Sequence, residues 1–459
     1  MGEAVARPCP GLFFDEALLP TGWARNVRVT VREGRVETLE SDAAMEADDE
    51  RHACALPGMP NLHSHAFQRG MAGLAEWRGE SADSFWTWRE TMYRFVRALG
   101  PQDLHAITAM ACVEMLETGF TRLGEFHYLH HAPDGSAYAD RAEMAAAIAA
   151  AASETGIALT LLPVFYAHSG FGGLPPGDGQ RRFLHDLDGF VRLLDASRGA
   201  LAPLPDAVLG LAPHSLRAVA PEELRALEAL AGEGPVHIHI AEQLREVEDC
   251  LAWSGARPVE WLLANAKVDA RWCLVHATHM TPDETQGLAR SGAVAGLCPI
   301  TEANLGDGLF PAARFLEAGG HFGIGSDSNV RIDASEELRL LEYGQRLAGR
   351  ARNVLVRTPG ASSGAALYQG ALAGGARALG APAGIAPGHS ADIVTLDTGH
   401  PSMVGRCGDA RLDALVFAAG REGVDCVWRR GEKLVTSGKH HNRAAFQARY
   451  TATLERLLA

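Results

Sequence analysis

The chain lacks closely spaced cysteine pairs and any excess of basic charge. Its eight cysteines are scattered over 459 residues without a CxxC motif, which excludes a zinc site built from such pairs and argues against a disulfide framework. Scattered cysteines in apolar runs are typical of reduced thiols, so we expect a cytoplasmic protein. The net charge of −14 argues against a large basic surface, and no nucleic-acid partner is expected.

Long apolar runs are missing too. The Ala-rich stretch at 145–152 is too short and too weakly apolar to cross a bilayer, and it predicts a helix that ends near Gly156. The first residues show no basic region followed by an apolar stretch, so we expect neither a secretory signal nor a membrane partner. A hydrophobic content of 47% over 459 residues suits one large domain with a smaller satellite.

A closely spaced histidine pair follows the short apolar run at 56–62. His63 and His65 are separated by one residue, and in a β-strand residues i and i+2 face the same side. Both imidazoles can therefore point at one divalent ion. An isolated His-x-His is more often a chance pair, so the interpretation depends on the segments downstream.

Three further apolar runs, at 235–242, 272–279 and 321–328, end in residues that bind metals or move protons. They carry His239 with Glu242, then His276, and then Asp327. Histidines combined with a carboxylate are typical zinc ligands. Chance would rarely supply four such strand ends in one chain, so we predict a metal centre.

The middle of the chain alternates strand-like runs with helical segments. The predicted helices include 101–118 and 221–231, each opening with proline, a favoured first helical residue. Eight alternations predict an α/β fold with a TIM-like (β/α)8 barrel, whose chemistry lies at the C-terminal strand ends. The predicted strands lie near 55–62, 120–126, 157–165, 207–212, 235–241, 272–277, 293–298 and 321–327.

Both ends of the chain are rich in strand patterns. Residues 26–31 alternate with period two, 391–397 form a strand-like run, and 426–435 are typical of a hairpin. We predict a small β-sandwich domain built from residues 1–55 and 385–445, a barrel over 56–384 and a C-terminal helix over 446–459. The Gly- and Pro-rich loop at 167–180 is either a lid or an ordinary loop.

The order of these motifs resembles the amidohydrolase superfamily, with histidines on strands one, five and six and an aspartate on strand eight. The fourth strand ends in Pro213-His214-Ser215 rather than in lysine, which favours the mononuclear deaminase branch over the carbamylated-lysine branch. Within that branch, four motifs are similar to those of the formimidoylglutamate deiminase family. These motifs are HSHAFQRG at 63–70, WTWR at 86–89, GEFHYLHH at 124–131 and PHSLRAV at 213–219.

The resemblance implies a zinc-dependent hydrolase that converts N-formimidoyl-L-glutamate to N-formyl-L-glutamate and ammonia in histidine degradation, with one Zn²⁺ per subunit and a homodimeric assembly. The implied zinc ligands are His63, His65, His239 and Asp327. The implied catalytic residues are Glu242, His276 and Asp327. The implied substrate-binding residues are Gln68, Arg89, Tyr128, His214 and Arg217.

The residue types suit this reaction. Zn²⁺ lowers the pKa of a bound water to about 7, and Glu242 is well placed to take a proton and deliver it to the departing nitrogen. Which of Glu242, His276 and Asp327 acts first stays open. Because arginine pairs bidentately with carboxylates, Arg89 and Arg217 are expected to hold a small dicarboxylate, although either one alone could be a structural ion-pair partner.

Two alternatives follow from the same motifs. A deaminase of a purine-type or other aromatic base would share the metal site and differ in the pocket, and two carboxylate-binding arginines argue against it. A zinc-bound scaffold without activity is disfavoured by the complete ligand set beside Glu242. The native metal stays open, since iron or manganese can occupy such sites.

Overall fold

The computed structural model describes residues 11–78 and 84–459 and arranges their strands in one mixed sheet and two parallel sheets. The strands are β1 Leu12–Leu19, β2 Gly22–Arg32, β3 Arg35–Glu40, β4 Glu50–Pro57, β5 Met59–Ser64, β6 Phe120–His127, β7 Ala158–Phe165, β8 Val208–Leu209, β9 Ala212–Pro213, β10 Val236–Ile240, β11 Trp272–His276, β12 Val294–Leu297, β13 His321–Ile324, β14 Ile393–Leu396, β15 Val424–Arg429, β16 Glu432–Thr436 and β17 Lys439–His440.

The helices alternate with the central strands and continue to the end of the chain. They are α1 Phe85–Val96, α2 Pro101–Glu117, α3 Glu143–Thr155, α4 Leu187–Leu201, α5 Pro221–Ala231, α6 Leu244–Ser254, α7 Pro258–Asn265, α8 Pro282–Ser291, α9 Pro299–Leu305, α10 Ala312–Glu317, α11 Ala334–Gly349, α12 Ser363–Ala378, α13 Asp409–Ala414 and α14 Arg443–Leu458. In the parts of the chain that the structure describes, none of these helices has the length and apolar character needed to cross a membrane.

The two ends of the chain meet in one eight-stranded sheet. Its order is β17-β16-β15-β14-β4-β1-β2-β3, and β1 pairs in parallel with β4 while β14 pairs antiparallel with β4. Alternate side chains of these strands form a separate apolar core around Phe14, Val27 and Trp428. Strands from both ends of the chain therefore contribute to one sheet and to one apolar core.

The central strands form two parallel sheets. One contains β5, β6, β7 and β8, with β9 also pairing with β7, and the other contains β10 to β13 in order. Single parallel residue pairs connect the sheets, Ser64 with Asp327 at one edge and Leu211 with Val236 at the other. This is the α/β class with parallel strands and intervening helices that the alternating pattern predicted.

Two predicted strands are interrupted, and glycines mark both interruptions. The first is divided at Gly58 between β4 in the terminal sheet and β5 in a parallel sheet; a side chain at Gly58 would lie 2.3 Å from Thr121. The fourth is reduced to β8 and β9, separated by Gly210, where an added Cβ would lie 2.5 Å from the carbonyl oxygen of Pro235. Close approach of neighbouring chain segments, which has no periodic signature, requires glycine at both points.

The loop at 167–180 packs against neighbouring helices. The Phe171 ring stacks on Trp253 of α6 with centroids 5.6 Å apart, and His168 Nε2 lies 3.0 Å from Glu223 Oε2 of α5. Two side-chain contacts therefore hold the loop against α6 and α5, beside the C-terminal ends of the parallel strands.

Candidate metal centre and catalytic pocket

Four side chains that could hold a metal ion converge where β5, β10 and β13 end. His63 lies on β5, His65 directly follows it, His239 lies on β10, and Asp327 lies just beyond β13. The Nε2 atom of His63 is 3.2 Å from that of His65 and 3.1 Å from that of His239. Asp327 Oδ1 is 3.3 Å from His65 Nε2 and 3.5 Å from His63 Nε2. The ligand atoms all lie within 4.8 Å of one another.

Backbone hydrogen bonds hold the aspartate against the histidine pair. The Asp327 N–H donates to the His63 carbonyl at 3.0 Å, and the His65 N–H donates to the Asp327 carbonyl at 2.9 Å. Gly325 makes this approach possible, because a Cβ there would lie 2.7 Å from the His63 carbonyl oxygen. Asp327 itself has a φ of +44°, a strained value for a non-glycine residue that is common at functional sites.

The charge state of the four side chains fits a divalent cation. Burial lowers the pKa of His63 to about 4 and that of His65 to about 3, so both rings are neutral near pH 7. His65 Nδ1 donates to the Phe126 carbonyl at 3.0 Å, which leaves the Nε2 lone pair facing the centre. Burial raises the pKa of Asp327, but the adjacent His63 and His276 lower it more, and the carboxylate stays ionised. Converging lone pairs and one anion are typical of a metal site.

Removing a bound divalent ion is expected to lower the melting temperature, because a ligand present at about 1,000 times its Kd stabilises the folded state by about 4 kcal/mol. Differential scanning fluorimetry of chelator-treated protein, with and without added Zn²⁺, measures this effect. His239→Ala should abolish the recovery, whereas His321→Ala, at the exposed first residue of β13, should recover like the parent. Equal melting temperatures for chelated and zinc-treated parent would contradict a metal centre.

His276, at the end of β11, lies among three carboxylates. Its Nδ1 is 3.3 Å from Glu302 Oε1, and its Nε2 is 3.7 Å from Asp327 Oδ2 and 3.9 Å from Glu242 Oε1. Burial lowers the pKa of His276, but Glu242, Glu302 and Asp327 raise it above its ordinary value. Burial also raises the pKa of Glu242 to about 7. A carboxyl group with that pKa can both accept and donate a proton near neutral pH.

Glu302→Gln is expected to reduce kcat by about 10–100-fold, the range observed when partners that orient metal-site histidines are replaced. Glu302 Oε1 also accepts the Cys298 N–H at 2.9 Å, so the carboxylate is fixed before it orients His276. Steady-state kinetics at saturating substrate measure the loss. Glu317→Gln serves as the control, because Glu317 is an exposed carboxylate at the end of α10. A Glu302→Gln enzyme with parental kcat would show that Glu302 does not orient His276 for catalysis.

Three of the four candidate metal ligands line a pocket of about 630 Å³. Of the residues predicted from the sequence, all but His63 line it, and His63 is fully buried beneath. Gln68 Nε2 donates to the Tyr128 hydroxyl at 2.9 Å, while Gln68 Oε1 is buried without a hydrogen-bond partner among the described residues. The predicted residues in the lining are His65, Gln68, Arg89, Tyr128, His214, Arg217, His239, Glu242, His276 and Asp327.

Two arginines face this pocket from different elements. Arg89 lies on α1, and Arg217 lies between β9 and α5. Both side chains are half-buried, and the Nε atom of each is fully buried without a hydrogen-bond partner in residues 11–78 and 84–459. Burial lowers the pKa of Arg217, but Glu246 and Glu242 raise it more, so the guanidinium stays charged. The pocket is therefore lined both by groups that can exchange protons and by two positively charged side chains.

Glu302 contacts His276, and Tyr166 lines the pocket; the sequence did not single out either residue. Glu302 lies in the first turn of proline-initiated α9, where an acidic residue is expected simply to stabilise the helix. Tyr166 directly follows β7, and its ring is 4.6 Å from that of His214. A tyrosine at the end of a buried strand is equally typical of core packing, so neither residue had a distinctive signal.

Comparison with models of known protein families shows the family to which this chain belongs. Residues 54–434 match the model of the Amidohydrolase family, and residues 12–53 match the model described as "Formimidoylglutamate deiminase HutF, N-terminal domain". The chain therefore belongs to the amidohydrolase family.

Individual proteins and solved structures are similar to this chain over nearly its whole length. A formimidoylglutamate deiminase from Pseudomonas aeruginosa is 52% identical over 434 residues, which cover 94% of this chain and 95% of that protein. The crystal structure of an amidohydrolase from Brucella melitensis has a TM-score of 0.95 at 54% identity, covering 98% of this chain and 100% of that one. An adenosine deaminase from Xanthomonas campestris with bound zinc has a TM-score of 0.79 at 23% identity, covering 98% and 99% of the two chains, and shares the fold.

Proposed function

We propose that this chain hydrolyses N-formimidoyl-L-glutamate to N-formyl-L-glutamate and ammonia, a reaction of histidine degradation. One observation carries the proposal: a single pocket combines Glu242 and the four metal-binding residues with two arginines whose Nε atoms are buried and unpaired among the described residues. The 52% identity to the Pseudomonas aeruginosa deiminase supports the same substrate.

The metal in this proposal is one Zn²⁺ held by His63, His65, His239 and Asp327. Neutral imidazole nitrogens with one carboxylate suit zinc, and iron or manganese can bind similar donors. When bound, the ion acidifies water and stabilises negative charge on oxygen. The chain itself supplies the donor set and the groups that move protons.

Two proton transfers drive the reaction, because the attacking water must lose a proton and the departing nitrogen of the protonated amidine must gain one. The second proton of the water is released as its oxygen becomes the formyl carbonyl. Glu242, with a pKa raised by burial to about 7, can take the first proton and deliver it to nitrogen as ammonia leaves. His276, held at Nδ1 by Glu302, can direct Nε2–H at the oxygen that becomes negatively charged. Asp327, which touches His63, His65 and His276, keeps these rings in place.

The substrate carries two carboxylates, and the pocket offers two guanidinium groups on separate elements. Arg89 and Arg217 would each pair with one carboxylate, since guanidinium and carboxylate match bidentately. Gln68, Tyr128 and His214 would complete the hydrogen bonds along the chain of the substrate. A neutral purine would leave both cations without partners, at a cost in binding free energy.

We also propose that the two parallel sheets form one closed (β/α)8 barrel and that the terminal sheet folds into a sandwich. Supporting the barrel, single residue pairs connect the sheets at both edges. Supporting the sandwich, the Arg430 guanidinium donates to the Glu33 carbonyl at 2.8 Å, so the β2–β3 turn touches the β15–β16 turn. A cytoplasmic location is supported by the seven described cysteines, which are all free thiols.

An ammonia-release assay tests the proposal. The holoenzyme is given N-formimidoyl-L-glutamate, adenosine, guanine or 8-oxoguanine at equal concentrations, and ammonia is measured over time. The proposed function requires turnover of formimidoylglutamate with kcat/KM well above that for every purine. Preferential release of ammonia from a purine would establish the aromatic-base alternative instead.

A further inference from the structure

Three arginines surround the indole ring of Trp86 on α1. The guanidinium carbon lies 4.6 Å from the ring centroid for Arg89, 5.9 Å for Arg217 and 5.0 Å for Arg245. Each distance is within the range of a cation–π contact. Arg89 and Arg217 line the pocket, whereas Arg245 lies on the first turn of α6 and does not. Trp86 therefore connects the two pocket arginines to an outer one, and we call these four residues the Trp86 cluster.

Arg245 is the exposed member of the Trp86 cluster. Its side chain is 65% exposed, and its carboxylate neighbour Asp249 lies 3.8 Å away, at the outer limit of an ion pair. Exposed ion pairs of this kind contribute little interaction free energy. Asp249 therefore neutralises the Arg245 guanidinium only weakly, and a dissolved anion can still interact with it. Glu242 and Glu246 instead act on Arg217.

The local charge contrasts with the charge of the whole chain. A protein with a net charge of −14 repels the carboxylates of an anionic substrate at long range, and a group of cationic side chains beside the pocket reverses that field locally. Arg89 and Arg217 stand inside the pocket and act after the substrate has entered. Arg245 is placed to act earlier, because its side chain contacts Trp86, lies outside the pocket lining and is largely exposed.

We propose that Arg245 is a specificity-determining residue that attracts the dicarboxylate substrate to the Trp86 cluster before Arg89 and Arg217 bind it. This inference rests on the proposed function, because it needs a substrate with two negative charges. Arg245 contributes to capture and takes no part in the chemical step. Its effect therefore falls on kcat/KM and weakens as salt screens the field.

The test measures kcat and kcat/KM for N-formimidoyl-L-glutamate with Arg245→Gln, Arg245→Lys and Arg245→Glu holoenzymes between about 0.01 M and about 1 M salt, where the screening length falls from about 30 to about 3 Å. Arg245→Gln should lower kcat/KM by about five- to tenfold at low salt and by less than about twofold at high salt, with kcat unchanged. Arg245→Lys should retain the parental value, and Arg245→Glu should lose more than Arg245→Gln.

Arg198→Gln on α4 is the matched control, because Arg198 is 69% exposed and is paired with Asp195 at 2.8 Å; it should behave like the parent. A low-salt kcat/KM for Arg245→Gln equal to the parental value overturns the inference. A loss that persists at high salt or lowers kcat also overturns it, since that pattern belongs to structural support of Trp86. A parent that releases no ammonia from formimidoylglutamate refutes the proposed function, and the inference with it, whereas an active parent with unaffected variants refutes the inference alone.

Discussion

Glu242→Gln is expected to lower kcat by about 10²–10⁴-fold, the usual contribution of a general acid/base. The amide keeps the size of the side chain and removes its ability to exchange a proton. Burial raises the pKa of the Glu242 carboxyl to about 7, so the group can serve both transfers that the deimination requires. Because Glu242 is not one of the four metal-binding residues, the bound metal should stay at the parental level.

The measurement combines single-turnover kinetics with metal analysis of the same preparation. Glu248→Gln is the control, since Glu248 is an exposed carboxylate on α6, the helix that follows Glu242, and its replacement should leave kcat unchanged. Turnover by Glu242→Gln within a few-fold of the parent would remove Glu242 from the mechanism. Loss of both metal and activity would show that Glu242 supports the metal site rather than proton transfer.

Arg89→Met and Arg217→Met are each expected to raise the barrier in kcat/KM for formimidoylglutamate by about 2–5 kcal/mol, the cost of breaking a desolvated charged hydrogen-bond pair. Methionine approximates the aliphatic part of arginine and removes the cation. The Nε atoms of both arginines are buried without partners among the described residues, so the substrate carboxylates are the groups expected to pair with them. Zinc content should not change.

Arg94→Met on α1 is the matched control for these two variants. Arg94 is exposed, and its guanidinium donates to Thr91 on the same helix at 2.9 Å, so its replacement should leave kcat/KM at the parental value. Normal kcat/KM in both pocket variants would contradict the dicarboxylate pocket. A smaller loss at one arginine than at the other would indicate which carboxylate contributes more to the transition state.

Local patterns predicted the parts of this molecule that local geometry determines. A period of two indicated that His63 and His65 face one point, although only His63 lies on β5 and His65 directly follows it. Proline at the first helical position correctly located the starts of α2 and α5. The convergence of His239 and Asp327 with that pair could be predicted because parallel strands end at a common edge. These features follow from the side-chain periodicity of strands and helices and from the common edge at which parallel strands end.

Other features depend on contacts between distant segments and leave no periodic signal. The division of the first predicted strand at Gly58 depends on Thr121, and the interruption of the fourth at Gly210 depends on Pro235. The orientation of His276 by Glu302 joins β11 to α9, and the contact of Arg245 with Trp86 joins α6 to α1. A single sequence identifies the residue types in these pairs but not that they touch.

We expect the pocket to hold the glutamate part of the substrate and to release the terminal nitrogen. The amidine carbon of N-formimidoyl-L-glutamate has two C–N bonds, and only cleavage of the terminal one is deimination. Hydrolysis in ¹⁸O-labelled water, followed by mass spectrometry and ammonia quantification, distinguishes the two cleavages. We predict N-formyl-L-glutamate carrying one ¹⁸O and an equal amount of ammonia. Glutamate with labelled formamide, or no ammonia from this substrate, would contradict the account.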